Sequence, residues 1–159
     1  MVGLCLAYNL KKRYPDLSIS IFEKEAYLGA HSSGRNSGVL HAGIYYEPNS
    51  LKARVCVKGR KRLIEWCKSE EIEILNCGKF IVPQETELDS NLELLQKRGF
   101  SNGAYSEIVN GDFFYKKVPD GFTSSGRALW VPSTCVLNPK KVLERLSLRL
   151  VESGVNINY

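Results

Sequence analysis

The sequence predicts an α/β fold, because helical and strand patterns alternate along much of its length. Residues 2–13 carry apolar positions at helical spacing, and residues 17–25, LSISIFEKE, alternate and are rich in isoleucine, as a strand does. The same order returns near the end, where the helical pattern of residues 138–154 is followed by VNINY. Helices that alternate with strands favour a sheet that is at least partly parallel.

The first helix and strand are bounded by simple signals. The apolar positions that share one helix face are Val2, Leu6, Ala7 and Leu10. The helix ends at YPD, since a proline disfavours helical conformation in the residue before it.

A long second helix is predicted from Asn49 or Ser50, either of which is a good N-cap, to about Glu70. Its inner face is predicted to include Leu51, Val55, Leu63 and Cys67.

The middle of the chain predicts shorter elements. KFIVPQ (residues 79–84) is expected to be a strand, residues 85–98 a helix with Gly99 as its C-cap, and RALWVP (127–132) a strand. Residues 101–127 are the least regular portion and are expected to belong to an inserted lobe.

The last helix has the strongest end signals. Asn138 is predicted as its N-cap, Pro139 as its first residue, and Gly154 lies just past its end. VNINY then starts another strand.

Composition excludes several classes of protein. Net charge is +5, and 43% of the 159 residues are hydrophobic, which is ordinary for a globular protein. No apolar run reaches the length of a spanning helix, and the apolar-then-basic N-terminus is the reverse of a secretory signal. The five cysteines are an odd number without a C-x-x-C pair, so we expect reduced thiols, a cytoplasmic location and no metal site.

The densest basic run is KGRKR, residues 58–62, which lies inside a helical pattern. We interpret it as a solvated helix face, or as a positive field that attracts small anions. Interleaved aromatic residues and a nucleic-acid-binding module are both missing, so nucleic acid is not expected as a partner.

The segment GAHSSGRNSGVLHAGIYY, residues 29–46, raises the question of function. Taken alone it is a polar loop of turn-forming residues. Before it, Gly3 opens a helix and Glu23 closes the following strand, as in a dinucleotide-binding unit without its first strand and first two glycines. Any helix–strand pair that ends in glutamate fits that pattern as well.

The stretch from FEKE to EWCK, with NCGKFIVPQ after it, resembles the FAD-dependent L-2-hydroxyglutarate oxidases and dehydrogenases. These belong to the D-amino-acid-oxidase-like flavoprotein superfamily, which includes glycerol-3-phosphate dehydrogenases and sarcosine or glycine oxidases. ALWVPSTCVLNPKKVLERLSLRLVESG resembles a later family segment. The likeness covers nearly the whole chain and is weakest between residues 84 and 127. It implies a partial Rossmann-like FAD-binding domain, first strand missing, with part of an α+β substrate lobe.

The resemblance also implies roles for particular residues. Glu23 is similar to the acidic residue that binds the adenosine ribose, Gly3 to the last fingerprint glycine, and His41 to a side chain near the flavin ring. The family loop that passes along the FAD diphosphate is matched by Ser33, Gly34, Arg35, Asn36, Ser37 and Gly38. A diphosphate requires several donors and a cation, and glycine lets the backbone come close.

Other interpretations of these residues stay open. His41 can be a packed histidine, Arg35 can form a surface ion pair, and Tyr45 and Tyr46 are expected to be packing residues or pocket walls.

The resemblance implies domain boundaries and a truncation. Residues 1–78 would be part of the FAD-binding domain, 79–132 part of the substrate lobe, and 133–159 a return to the first domain. The family's first strand, its G-x-G and its C-terminal part lie outside this sequence. We therefore expect a fragment that binds FAD poorly unless a complementing chain supplies the rest.

The reaction implied is oxidation of a 2-hydroxy acid, L-2-hydroxyglutarate to 2-oxoglutarate, with hydride transferred to flavin and the hydroxyl proton taken by a base. A lysine or arginine should bind the dicarboxylate substrate, although the sequence assigns no residue to that task. The alternatives are glycerol-3-phosphate or amine oxidation by the same superfamily, or a non-catalytic fragment that complements a partner chain. No membrane span is expected, and peripheral membrane contact stays open.

Overall fold

A computed structural model describes residues 1–159 and contains both helices and strands, which confirms the α/β class. The helices are Val2–Arg13 (α1), Leu51–Ser69 (α2), Asn91–Ser101 (α3), Gly111–Lys117 (α4) and Pro139–Glu152 (α5). The strands are Ser20–Phe22 (β1), Val39–Leu40 (β2), Ile74–Leu75 (β3), Lys79–Ile81 (β4), Glu107–Asn110 (β5), Arg127–Val131 (β6), Cys135–Leu137 (β7) and Asn156–Asn158 (β8). No helix combines the length and apolar character needed to cross a membrane.

The chain divides into two compact units. The first contains residues 1–38, 67–73 and 137–159, and the second contains 39–66 and 74–136. These units do not follow the predicted segments 1–78, 79–132 and 133–159, which stay a prediction about functional domains.

The first unit is built on two parallel strands, β1 and β8. Ser20 lies opposite Asn156 and Phe22 opposite Asn158, and the Glu23 N–H donates to the Asn158 carbonyl at 2.8 Å. Helices α1 and α5 pack against each other beside this sheet. The core side of α5 is formed by Val142, Leu143, Leu146 and Leu150.

A buried acidic residue fastens the short segment 67–73 to α5 within the same unit. Both carboxylate oxygens of Glu70 accept from the Arg149 Nε, at 3.0 and 2.9 Å. Since a buried carboxylate is tolerated only when it is paired, this contact explains why the segment belongs with α5.

The predicted ends of α5 are confirmed. The Asn138 side chain accepts from the N–H groups of Lys140 and Lys141, Pro139 is the first helical residue, and Gly154 has a φ of 80°. These are local interactions, so the sequence contains all the information that they need.

The bounds of α1 are confirmed, but its predicted face is only partly right. Leu4 and Ala7 are buried, whereas Val2 is 83% and Leu6 60% exposed. Because α1 carries apolar residues on several sides, periodicity alone does not decide which side meets the core.

The bounds of α2 agree with the prediction to within a residue, and Ser50 is the residue that caps it. The Ser50 hydroxyl accepts from the Ala53 N–H at 3.1 Å, while Asn49 adopts a φ of 65° outside the helix.

Part of the inner face predicted for α2 is wrong. Leu51 and Val55 are exposed, and Ala53 and Cys67 are buried. At 3.6 residues per turn, Leu51 lies roughly 160° around the helix from Cys67, whereas Ala53 lies within about 40° of it. Residues spaced four apart therefore do not all stay on the buried face over the length of this helix.

The second unit contains an antiparallel sheet of order β4-β6-β5. Lys79 lies opposite Val131, and Glu107 lies opposite Trp130. A further sheet has the order β2-β7-β3. The core of the unit is formed by Ala42, Ile44, Leu92, Ala104, Leu129 and Val131.

The predicted helix over residues 85–98 is displaced in the structure. A short 3₁₀ turn covers Thr86–Leu88, and α3 continues to Ser101, so Gly99 lies inside the helix and is not its C-cap. A Cβ on Gly99 would lie 2.6 Å from Ile44 Cδ1, which shows that close packing, not a left-handed cap, requires the glycine. Residues 101–127 are more regular than expected, because β5 and α4 lie within them.

Candidate functional site

The polar loop of the first unit begins directly after β1. Glu23 follows the last residue of that strand, is half-buried, and accepts the Glu25 N–H on Oε1 at 3.1 Å. Its second carboxylate oxygen has no partner in the chain. The residue therefore keeps an acceptor at the carboxyl end of a parallel strand, where α/β folds bind ligands.

Two glycines of this loop are required by close packing. A Cβ on Gly34 would collide with the Gly29 carbonyl oxygen, and one on Gly38, where φ is 67°, would collide with the Leu137 carbonyl oxygen. The Leu137 N–H also donates to the Gly38 carbonyl at 3.1 Å. Gly34 and Gly38 thus fix the course of the loop.

Asn36 uses its amide inside the same loop. Its Nδ2 donates to the carbonyls of Ser32 and Ser33 at 2.9 and 3.0 Å, and its Oδ1 accepts from the Gly38 N–H at 2.9 Å. The structure therefore gives Asn36 a shaping role, whereas the sequence placed it among the groups that bind the cofactor.

Three further polar side chains of the loop, those of Ser33, Arg35 and Ser37, have no partner in the chain. Arg35 is exposed and forms neither an ion pair nor a side-chain hydrogen bond, so the surface ion pair considered from the sequence is not formed. The hydroxyls of Ser33 and Ser37 also have no partner in the chain. A cation and two hydroxyl donors on one braced loop suit the chemistry of a diphosphate, so these residues fit such a group.

Gly3 lies in the first turn of α1 and is exposed. A Cβ at this position would meet nothing within 4 Å. The first turn holds no acidic side chain and its cap supplies no side-chain acceptor. An anion is therefore electrostatically acceptable at this end of α1.

A second polar cluster lies in the second unit and contains His41, Tyr45 and Lys79. The His41 ring meets Tyr45 edge-on with ring centroids 6.1 Å apart. Lys79 Nζ donates to the Tyr45 hydroxyl at 3.0 Å and lies 4.4 Å from the centre of its ring. The pKa of His41 is lowered, first by partial burial and second by the positive charge of Lys79. Both effects favour the neutral form of the His41 imidazole.

Contacts from distant elements hold this cluster in place. Asn102, the C-cap of α3, donates through Nδ2 to the carbonyls of Gly43 and Tyr46 at 2.8 and 2.9 Å. The Cys56 thiol donates to the His41 carbonyl oxygen at 3.4 Å. The segment 41–46 is thus fixed on both sides of Tyr45.

The structure distributes the predicted site residues over both units. Gly3, Glu23 and residues 33–38 lie in the first unit, and His41 lies in the second. Sequence reasoning missed Lys79 and Asn102, because their partners are 34 to 59 residues away and no local motif marks either of them.

A cavity of about 300 Å³ is also found in the first unit. Its lining residues are Tyr27, Leu28, Gly29, Lys140, Leu143, Glu144, Ser147 and Tyr159. None of the residues predicted for the cofactor or for catalysis lines it.

Comparison with protein families gives one match over residues 1–158, to a family described as FAD dependent oxidoreductase. Among curated proteins, the chain is similar to the mitochondrial L-2-hydroxyglutarate dehydrogenases of Pongo abelii, at 41% identity over 158 residues, and of Dictyostelium discoideum, at 39% over 143 residues. It is 33% identical over 159 residues to the L-2-hydroxyglutarate dehydrogenase of Escherichia coli strain K12.

These relatives are much longer than the chain. The alignments cover 99%, 89% and 100% of this chain but only 37%, 32% and 37% of the respective relatives. The chain thus spans about a third of their length.

Solved structures show the same fold. The dithionite-reduced L-alpha-glycerophosphate oxidase of Mycoplasma pneumoniae with FAD bound matches with a TM-score of 0.85 and 24% identity, over 98% of this chain and 41% of that one. Glycine oxidase from Geobacillus kaustophilus matches with a TM-score of 0.84 and 16% identity, over 98% and 43%. At these identities the likeness establishes the fold alone.

Proposed function

The chain belongs to the FAD-dependent oxidoreductase family, and from that premise we propose that it serves the oxidation of L-2-hydroxyglutarate to 2-oxoglutarate. Its curated relatives at 33 to 41% identity carry the name L-2-hydroxyglutarate dehydrogenase. The observation on which the proposal depends is the braced loop after β1, where Arg35 and two serine hydroxyls are left without partners.

FAD is the cofactor of this family, and the first unit supplies groups suited to it. In this proposal the free oxygen of Glu23 accepts from ribose hydroxyls, and Arg35 with Ser33 and Ser37 donates to the diphosphate. Gly34, Gly38 and Asn36 act indirectly, because they fix the loop that carries those donors. Gly3, at the start of α1, leaves the positive end of the helix open to the phosphates.

Bound FAD would supply the acceptor for the two electrons and the hydrogen of the substrate's α-carbon. The hydroxyl proton goes to the unprotonated ring nitrogen of His41, and the hydroxyl carbon becomes a carbonyl. His41 suits this task because its lowered pKa favours the neutral imidazole, which can accept a proton.

A substrate-swap assay on the full-length, FAD-loaded protein tests the function. L-2-hydroxyglutarate should bleach the flavin absorbance in the absence of an acceptor dye, while its D-enantiomer, glycerol 3-phosphate and glycine should not. Bleaching by glycerol 3-phosphate or by an amine alone would replace this function with another of the same superfamily.

An exposed apolar surface in the first unit favours a second candidate, a fragment that complements a partner chain. Val2, Leu6 and Phe22 are 83%, 60% and 81% exposed. Full burial of each side chain is worth roughly 1.5 to 3 kcal/mol, which would favour association with a chain that covers them. Mixing this chain with the remainder of a longer homologue should then produce FAD binding that neither piece shows alone.

The cytoplasm is our proposal for the location of the protein. All five cysteines are free thiols, which suits a reducing compartment. Fractionation of cells that express the full-length protein tests this, and recovery with mitochondria, as the names of several relatives suggest for those proteins, would contradict it.

A further inference from the structure

Lys79 is a half-buried cation without a counter-ion. It opens β4, where pairing with β6 places it opposite Val131. No aspartate or glutamate of the chain forms an ion pair with it, and its side-chain hydrogen bond goes to the neutral hydroxyl of Tyr45. A charge withdrawn partly from water is stabilised by an anion, and this chain supplies none at that position.

Lys79 and Tyr45 keep hydrogen-bond donors that no other group of the chain uses. A lysine ammonium carries only donors, so the Tyr45 oxygen must be the acceptor in the 3.0 Å contact. The phenolic hydrogen of Tyr45 is then left to donate elsewhere, and two N–H groups of Lys79 stay free. Adjacent O–H and N⁺–H donors match the two oxygens of one carboxylate, in bonds strengthened by charge.

The pair is positioned as a binding site requires. Asn102 fixes the backbone on both sides of Tyr45, and the strand pairing fixes Lys79. Tyr45 is 44% exposed, so a ligand can reach its hydroxyl. The ring of His41 stands edge-on to Tyr45, which places the candidate base beside the same donors.

We propose that Lys79 and Tyr45 bind a carboxylate of the substrate next to His41 and so select an anionic hydroxy acid. This inference rests on the proposed function, because it takes His41 as the group beside the reacting carbon. It assigns the dicarboxylate-binding cation for which the sequence offered no candidate.

Binding of glutarate, a dicarboxylate that lacks the reactive hydroxyl, tests the site without turnover. Isothermal titration of the full-length, FAD-loaded protein should show glutarate affinity reduced about 10- to 100-fold by Lys79→Met, since a charge-assisted contact is lost. Tyr45→Phe keeps the ring and should reduce the affinity about 3- to 10-fold, whereas Lys79→Arg should restore part of the loss.

Lys117→Met is the matched control. Lys117 also lies over aromatic rings, 5.6 Å from the centre of Phe113 and 5.7 Å from that of Trp130, but without a phenol contact. This variant should bind glutarate like the unmodified protein. Glutarate affinity within twofold of the unmodified value in Tyr45→Phe and in folded Lys79→Met, judged by the retained flavin spectrum, would overturn the site.

Kinetics separate this inference from the proposed function. Lys79→Met should raise the KM for L-2-hydroxyglutarate more than it lowers kcat. If no hydroxy acid reduces the flavin while glutarate binding still depends on Lys79, the site stands and the proposed reaction falls. If L-2-hydroxyglutarate reduces the flavin with the same KM in both proteins, the reaction stands and the site falls.

Discussion

Two consecutive loops of this chain, residues 32–38 and 41–46, are held in place by different kinds of contact. Each must hold polar groups at fixed positions on an irregular backbone. The first is braced mainly from within, because Asn36 bonds to three backbone groups of its own loop, and Leu137 of β7 adds one bond to the Gly38 carbonyl. The second is braced from outside, by Asn102 on α3 and by the Cys56 thiol on α2.

The difference decides what each loop presents. Internal bracing leaves Arg35, Ser33 and Ser37 with no partner, so the loop offers separate donors to an anion. External bracing fixes segment 41–46 within the second unit and holds Tyr45 against Lys79. The first arrangement suits a cofactor that brings its own charge, and the second suits recognition of a smaller anion.

The largest expected effect is on the stability of the first loop. Gly38→Ala places a side chain at a φ of 67° and against the Leu137 carbonyl oxygen. We expect the free energy of unfolding to fall by about 3 kcal/mol or more, since backbone strain and a steric clash add. Urea denaturation monitored by circular dichroism measures this loss in the free energy of unfolding.

Gly126→Ala is the matched control for Gly38→Ala. Gly126 has a φ of 70° but open space around its Cβ position, so only the backbone strain, about 1–2 kcal/mol, should appear. Equal losses in the two variants would show that the contact with Leu137 contributes nothing.

The external brace should matter more than the internal one. Asn102→Ala leaves two partly buried carbonyls without a donor, and we expect a loss of about 2 kcal/mol in the free energy of unfolding. Asn36→Ala removes two exposed contacts and one partly buried contact from the Gly38 N–H, and a loss of about 1 kcal/mol is expected. Denaturation curves of both variants measure the two losses. A larger loss in Asn36→Ala than in Asn102→Ala would contradict the comparison.

The polar, turn-rich character of the first loop could be predicted from the sequence because its interactions are local, whereas the cofactor-binding roles of its residues stay a prediction. The glycines and small polar residues between Gly29 and Gly38 are contiguous in sequence, as are the caps of α5 at Asn138 and Gly154. A pattern within a few residues contains the physical information that these features need.

The second loop could not be predicted because its partners come from other elements. Tyr45 and Lys79 are 34 residues apart, and Gly43 and Asn102 are 59 apart. Gly99 shows the same limit, since a glycine near a helix end indicates a C-cap and close packing equally well. The packing against Ile44 shows that Gly99 serves close packing, and only the folded structure reveals this contact.

Arg35 tests the donor role of the first loop with a smaller effect. Arg35→Gln removes a charge that has no partner in the chain, so the free energy of unfolding should not change. The affinity for FAD should fall about 10-fold, as expected for loss of one charge-assisted contact to a phosphate. Equilibrium dialysis of FAD with the full-length protein measures it.

Arg54→Gln is the control for Arg35→Gln, because Arg54 is another exposed arginine that forms no ion pair. It should leave FAD affinity unchanged. If both variants weaken FAD binding equally, net charge and not the loop is responsible.

The smallest effect concerns the electrostatics of the second loop. Lys79→Met removes the lesser of the two causes that lower the pKa of His41, so that pKa should rise toward its ordinary value without reaching it. The chain has two histidines, and His31→Gln identifies the other one, so the ring resonances of His41 can be followed by NMR titration. Since the protonated form is stabilised when the nearby positive charge is removed, protonation of His41 should begin at a higher pH in the variant. An unchanged or lower pKa would mean that Lys79 does not act on His41, and that burial alone keeps the imidazole neutral.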